Sequence, residues 1–260
     1  MNIIHFDEVE STNLLALELL EKNHLQAPGI IIANSQTKGR GRGERQWISP
    51  RGNLYMSLVL QPENMSRISD YSFLTACVVG DVLRSFGIET KYKWPNDIML
   101  SGKKLAGILL QSQKTNLGHV ANQLSEKSEP LIYKGSSSLK MVRNGDLRQS
   151  HLVIGVGLNL VSAPDYAISL VNHKISREDF LQKFSTFFLR LEEEYRQFGF
   201  FVIRNKWKNS AYKLGEKITL SNGVSGIFSD IDESGNLLIA DQFGNVSKII
   251  TEEINLDSTL

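Results

Sequence analysis

The sequence predicts an α+β fold: a large mixed-sheet domain over residues 1–210 and a small antiparallel β domain over 211–260. Three observations predict it. Apolar runs of strand and helix length follow one another without the strict strand–helix–strand rhythm of a parallel sheet. From Ala211 the chain changes character, with short apolar runs between turn signals and three lysines against eight acids. The length of 260 residues suits one large domain or two unequal ones, each able to bury a core.

Ile3 to Val9 reads as a strand. Ser11-Thr12-Asn13 offers N-cap chemistry, and Leu14 to Leu20 continues as a helix. Gly29 to Ala33 is β-branched and reads as a buried strand. Asn53 to Leu60 is the next strand. Ser66 to Phe86 is an apolar run of helical length that stops before Gly87. Strands are expected at Lys91–Trp94, Ile98–Leu100, Leu105–Leu110 and His151–Leu160. Ser176 and Asp179 resemble a capping box, with Asp in the Glu position, and open a helix to about Phe198. In the last fifty residues Asn222-Gly223, Glu233-Ser234-Gly235-Asn236 and Gly244-Asn245 mark turns of a small barrel or sheet. Ser112–Ser150 is polar and weakly periodic. It reads as a surface insertion, with Asn144-Gly145 as a candidate hairpin turn.

Composition excludes several classes. Hydrophobic residues at 41% and charged residues at 22% rule out a disordered or fibrous chain. The net charge of +1 argues against a general nucleic-acid binder. Cys77 stands alone, so neither an intrachain disulfide nor a cysteine zinc site can form. The N-terminus lacks a basic lead and an apolar core, and no stretch approaches the roughly 20 apolar residues of a membrane span. The expected location is the cytoplasm.

Four motifs carry chemistry. Between Lys38 and Arg51 stand five basic residues and one acid, with glycines at 39, 41 and 43 alternating with Arg40 and Arg42, and then Arg45 and Trp47. Glycines let a backbone approach a ligand, and arginines offer forked donors to a multiply charged anion such as a nucleotide phosphate. Trp47 adds a flat apolar face. A solvated basic loop or a nucleic-acid patch explains the charge equally well. It is neither a Walker A loop nor a dinucleotide fingerprint.

The second motif is Lys93-Trp94-Pro95-Asn96-Asp97. Pro95 stops a strand, and Asn96 and Asp97 project from a turn where Asp97 can hold a cation. Alone, it is equally a plain turn between strands. The third, Lys103-Lys104-Leu105-Ala106-Gly107-Ile108-Leu109, places a lysine at the head of an apolar strand with room beside Gly107. The fourth, Gly155-Val156-Gly157-Leu158-Asn159, puts two glycines inside a strand, a mark of close approach. The five histidines show no ligand spacing, Cys77 reads as core, and no nucleophile elbow is present.

In this order the motifs resemble those of the biotin protein ligases. The resemblance runs from about Ser11 to the end, excepting Ser112–Ser150, for which no counterpart is placed. It implies a synthetase-like catalytic domain with a C-terminal SH3-like barrel, and the activity of a biotin–[biotin carboxyl-carrier protein] ligase. Biotin and MgATP would give biotinyl-5′-AMP. The ε-amine of a carrier-domain lysine, on acetyl-CoA carboxylase or a related carboxylase, would then take the biotin.

By motif match, Ser11, Thr12, Asn13, Gln36, Gly39, Arg40, Gly41, Arg42, Tyr55, Lys104, Gly107 and Gly155 frame biotin. Arg42, Arg45, Trp47, Asn96, Asp97, Lys104 and Asn159 serve the nucleotide, with Lys104 and Arg42 catalytic and Mg²⁺ arriving with ATP. No resident metal site is expected. The arginine loop is expected to order around its ligand. Larger members of the family carry an N-terminal winged helix-turn-helix. With a strand starting at Ile3, none is expected here, nor any nucleic-acid or membrane partner; a homodimer is left open. Gln111 stands where an acid is common and receives no role. The competing expectations are a lipoate-type acyl-adenylating ligase, whose Arg-Arg-x-Ser-Gly-Gly-Gly signature is absent, and a non-enzymatic nucleic-acid-binding protein.

Overall fold

A computed structural model describes residues 1–43, 45–116 and 148–255. Its centre is a seven-stranded mixed sheet in the order β1-β2-β3-β7-β6-β5-β4. The strands are β1 (Asn2–Val9), β2 (Gly29–Gln36), β3 (Leu54–Leu60), β4 (Lys91–Lys93), β5 (Asp97–Leu100), β6 (Lys103–Asn116) and β7 (Arg148–Leu158). The β1–β2 pair is parallel and the others are antiparallel.

Alternation along the strands sorts side chains onto two faces. One face presents Ile30, Ile32, Leu58, Ile154 and Val156 to helices α2 (Asp70–Arg84), α3 (Arg177–Phe198) and α4 (Phe200–Lys208). This is the main core, with Phe180, Phe184, Phe188 and Trp207 among its fully buried side chains. The other face presents Ile31, Val59 and Val153 to Ala16 and Leu20 of α1 (Thr12–Glu21). That single helix covers only part of its face, and the site lies on the remainder.

The predicted capping box is half present. The Ser176 hydroxyl accepts from the Asp179 amide at 3.0 Å, but Asp179 returns to the Ser176 hydroxyl, 2.7 Å, rather than to its amide. Helix α4 was not foreseen. Gly199, with a φ of 72°, turns the chain from α3 straight into it. The segment expected as an insertion is narrower than its sequence bounds: β6 runs on through Ser112–Asn116 and β7 starts at Arg148, with Asn116 paired to Arg148. Residues 117–147, including Asn144-Gly145, lie outside those described.

Beyond α4, β8 (Lys217–Thr219), β9 (Ser225–Ile231), β10 (Leu237–Ala240) and β11 (Val246–Ile249) make an antiparallel sheet in the order β11-β10-β9-β8. A bridge between Leu220 and Ile254 brings the last described residues back to the end of β8. This sheet grips the larger one through its 232–236 turn. Trp94 Nε1 donates to Gly235 O at 2.9 Å, and Arg67 Nη2 donates to Glu233 O at 3.0 Å. A side chain at 235 would strike Phe73 at 2.7 Å. Trp94, at the heart of the second motif, therefore ties the two sheets together. Among the described residues no helix is long and apolar enough to cross a membrane.

Candidate active site

The strand register builds the floor of the site. Tyr55 pairs with Gly157, which pairs with Gly107; one step along, Ser57 pairs with Gly155, which pairs with Leu109. These six positions share the face that α1 leaves open. Three of them are glycine, so the floor is flat and the backbone is exposed to whatever lies above.

What lies above is partly the protein itself. A Cβ at 155 would sit 2.4 Å from Asn13 Oδ1, and one at 157 would sit 2.5 Å from the Trp47 ring. The glycines read as room for a ligand thus first make room for Asn13 and Trp47. Ser57 Oγ donates to Asn13 Oδ1 at 2.6 Å, and Asn13 Nδ2 donates to Gln111 Oε1 at 2.9 Å. Gln111, given no role from sequence, therefore fixes which way the Asn13 amide faces.

Ser11 does not cap α1 through its side chain. Gln36, at the end of β2, does so from a distance: its Oε1 accepts from the Thr12 amide at 2.9 Å, and its Nε2 donates to Ser49 Oγ at 2.9 Å. Ser49 in turn donates to Trp47 O. One glutamine links the helix terminus to the arginine loop.

That loop is a hairpin. Arg40 bridges Gln46, Trp47 N donates to Gly39 O at 2.9 Å, and Gly41 N donates to Arg45 O at 2.7 Å. A side chain at Gly39 would meet Trp47 O at 2.4 Å, and Gly43 turns with a φ of 64°. The glycines serve the turn, and two of the loop's N–H groups are spent inside it. Its shape here rests on its own hydrogen bonds. The Tyr55 hydroxyl anchors the exit by donating to Pro50 O at 2.7 Å; burial pushes that phenol up to about 12.

Cations collect where the hairpin meets β5 and β6. Lys104 lies three residues from Gly107 and by plain alternation would face the other way. A register shift between Ile98 and Met99 leaves Leu105 unpaired and turns Lys104 onto the site face. Its Nζ stands 2.7 Å from Asp97 Oδ1 and 5.2 Å from the centre of a Trp47 ring. Lys93 Nζ lies 3.7 Å from the other Asp97 oxygen, and burial pulls its pKa below the usual lysine range. Arg45 grips Glu253 with both terminal nitrogens, and Arg42 Nη1 approaches the same carboxylate at 3.6 Å.

Together these groups line a cleft of about 360 Å³. Of the residues expected from sequence, the cleft gathers Ser11, Thr12, Asn13, Gln36, Arg40, Gly41, Arg42, Arg45, Trp47, Tyr55, Asn96, Asp97, Lys104, Gly107 and Gly155. Two fall outside it. Gly39 is enclosed in the hairpin, and Asn159 is buried and spends its amide on Ile168 O at 3.2 Å, holding the loop after β7. Asn96 does line the cleft, although its amide nitrogen is committed to Ile108 O at 2.7 Å. Sequence reasoning missed Lys93, Tyr166 and Glu253 as lining residues, and marked Gly157 for close approach without placing it in the site. Alternation from Gly155 would have found Gly157. Nothing local marks Glu253.

Comparison with known proteins settles the family. The chain is 31% identical over 254 residues to the biotin–[acetyl-CoA-carboxylase] ligase of Paracoccus denitrificans, covering 88% of this chain and 90% of that protein. This chain belongs to the biotin protein ligase family. The broader family model that it matches, the Biotin/lipoate A/B protein ligase family, aligns with residues 5–122. The bifunctional ligase/repressor BirA of Bacillus subtilis is 30% identical over 272 residues, covering 98% of this chain and 74% of that one. The same fold is seen in the biotin protein ligase of Aquifex aeolicus solved with biotin and ATP, at 23% identity and a TM-score of 0.74 over 98% of this chain and 97% of that one. The expected α+β class and the small C-terminal antiparallel sheet both agree with this biotin protein ligase fold.

Proposed function

We propose that this family member makes biotinyl-5′-AMP from biotin and MgATP and passes biotin to the ε-amine of a lysine on a biotin carboxyl carrier domain. The observation that carries the proposal is the joining of two surfaces in one cleft. A glycine-floored slot with Ser11 and Thr12 shares one cleft with Arg42, Arg45, Lys93 and Lys104.

The slot suits a flat neutral ring system with an alkyl tail. Ser11, Thr12 and Arg40 supply polar groups at its end, and Gly107 and Gly155 supply a close backbone wall. The cationic end suits the meeting of a carboxylate with the α-phosphate. Two anions repel, and fixed positive charge in a partly desolvated cleft offsets that repulsion most when both sit in the transition state. Lys104, held by Asp97, stands between the slot and the arginines. A carboxylate oxygen of biotin attacks the α-phosphorus and the bond to pyrophosphate breaks. In the second step the carrier amine attacks the acyl carbon, loses a proton, and AMP leaves. No protein nucleophile is required, so positioning and electrostatics carry the rate.

The fit to Mg²⁺ rests on Asp97, a carboxylate facing the phosphate end. Mg²⁺ arriving with ATP would share Asp97, whose two oxygens already face Lys104 and Lys93, and would draw charge from the phosphate oxygens. Trp47 and Tyr166 offer ring faces for the base.

Biotin-dependent exchange of labelled pyrophosphate into ATP tests the first step. Exchange with biotin and not with lipoate supports the proposal, and exchange with lipoate alone contradicts it.

A further inference from the structure

Glu253 follows the last strand of the C-terminal sheet, yet it lines the cleft of the larger one. Its backbone is fixed: Ser221 N donates to Glu253 O at 2.8 Å, Asn255 N donates to Thr219 O at 2.7 Å, and its neighbour Ile254 is buried. Its side chain points the other way, into the arginine hairpin. There it faces Arg45 through a two-pronged contact and Arg42 at 3.6 Å. Arg42 Nη1 is buried with no hydrogen-bond partner among the described residues, so the contact with Glu253 does not satisfy it. The two guanidinium groups and Lys93 hold the Glu253 carboxyl below the ordinary range, so it is ionised at neutral pH.

We propose that Glu253 is an internal stand-in for phosphate: a positioning residue that holds Arg42 and Arg45 at the cleft until a polyphosphate takes those guanidinium groups from it. The inference rests on the proposed adenylation for its biological meaning, but not for its test. A carboxylate and a triphosphate cannot share the same arginines without like-charge repulsion, so binding one releases the other. The hairpin keeps its backbone hydrogen bonds while this happens, because none of them runs through Glu253. The segment after the C-terminal sheet is thereby coupled to the nucleotide: the Glu253 side chain engages the arginines when they are unoccupied and is released when a polyphosphate holds them.

Inorganic tripolyphosphate is the probe. Its dissociation constant is measured by calorimetry for the wild-type chain, Glu253→Gln and Glu253→Asp, with melting curves confirming that each folds. Removing the competing charge in Glu253→Gln should tighten tripolyphosphate roughly fivefold, the scale of a partly exposed ion pair. The shortened Glu253→Asp arm, which keeps its charge but loses reach, should fall between. In biotin-dependent pyrophosphate exchange KM for ATP should drop by a similar factor, with kcat within about twofold, because the lost contact is a ground-state competitor. Unchanged or weaker tripolyphosphate binding in Glu253→Gln would overturn the proposal, and weaker binding would make Glu253 a bolt that pre-shapes the loop instead. If no chain shows exchange, the adenylation proposal fails while the tripolyphosphate comparison still decides the role of Glu253.

Discussion

The carboxamide of Asn13 rests on the backbone of Gly155, so closely that a Cβ built at 155 would lie 2.4 Å from Asn13 Oδ1. Asn13 cannot easily retreat, because Ser57 and Gln111 hold its two ends. Gly155→Ala should therefore cost about 1–3 kcal/mol of stability by overpacking and misplace the residues at the start of α1. The expected outcome is a lowered melting temperature and a raised KM for biotin with KM for ATP little changed. Wild-type biotin affinity in a folded Gly155→Ala chain would contradict this.

Lys104 is turned into the cleft by a bulge and paired with Asp97 at 2.7 Å. Lys104→Met removes the charge proposed to face carboxylate and α-phosphate as they meet. The biotin adenylation rate should fall by about 100- to 1,000-fold, the usual loss for one transition-state donor. Single-turnover formation of biotinyl-adenylate measures it, and a rate within about tenfold of wild type would remove Lys104 from this role.

Arg42 lies in the hairpin over the proposed adenylate. Arg42→Gly deletes a forked donor and places a third glycine beside Gly41 and Gly43, adding about 0.5–1 kcal/mol of ordering cost. The adenylate should escape faster and label lysines on bystander proteins. Incubation with biotin, MgATP and an unrelated protein measures that labelling per adenylate formed. Labelling no higher than wild type would show that Arg42 does not retain the intermediate.

The pairing of Asn116 with Arg148 brings β6 and β7 side by side at the point where residues 117–147 begin and end. A short Gly/Ser turn can join such an antiparallel pair. Replacing 117–147 with one should leave pyrophosphate exchange and the melting temperature intact. Loss of exchange would place part of the site in that segment. Intact exchange with lost carrier labelling would assign the segment to acceptor docking.

The sheet and most of the cleft were legible because their signals are local. Alternation, β-branched runs and glycine spacing mark β3, β6 and β7, and the cleft inherits their register. The meaning of the glycines is less legible: two glycines in a strand signal close approach but not by what, and at 155 and 157 Asn13 and Trp47 make it. The Ser11 side chain caps nothing, and the first helical amide, Thr12, is satisfied instead by Gln36, 24 residues further along the chain. Asn159, expected to serve the nucleotide, spends its side-chain nitrogen on its own following loop. Glu253 carries no local pattern at all. It reaches the arginines across 208 residues of sequence, through the packing of one sheet on the other.

The most direct test of the account combines the purified chain with biotin, MgATP and a biotin carboxyl carrier domain, and reads the intact mass of the carrier. The account predicts one added biotinyl group, lost when ATP is omitted or when the acceptor lysine is replaced by arginine. An unmodified carrier, in a mixture where a known biotin protein ligase labels the same domain, would contradict it.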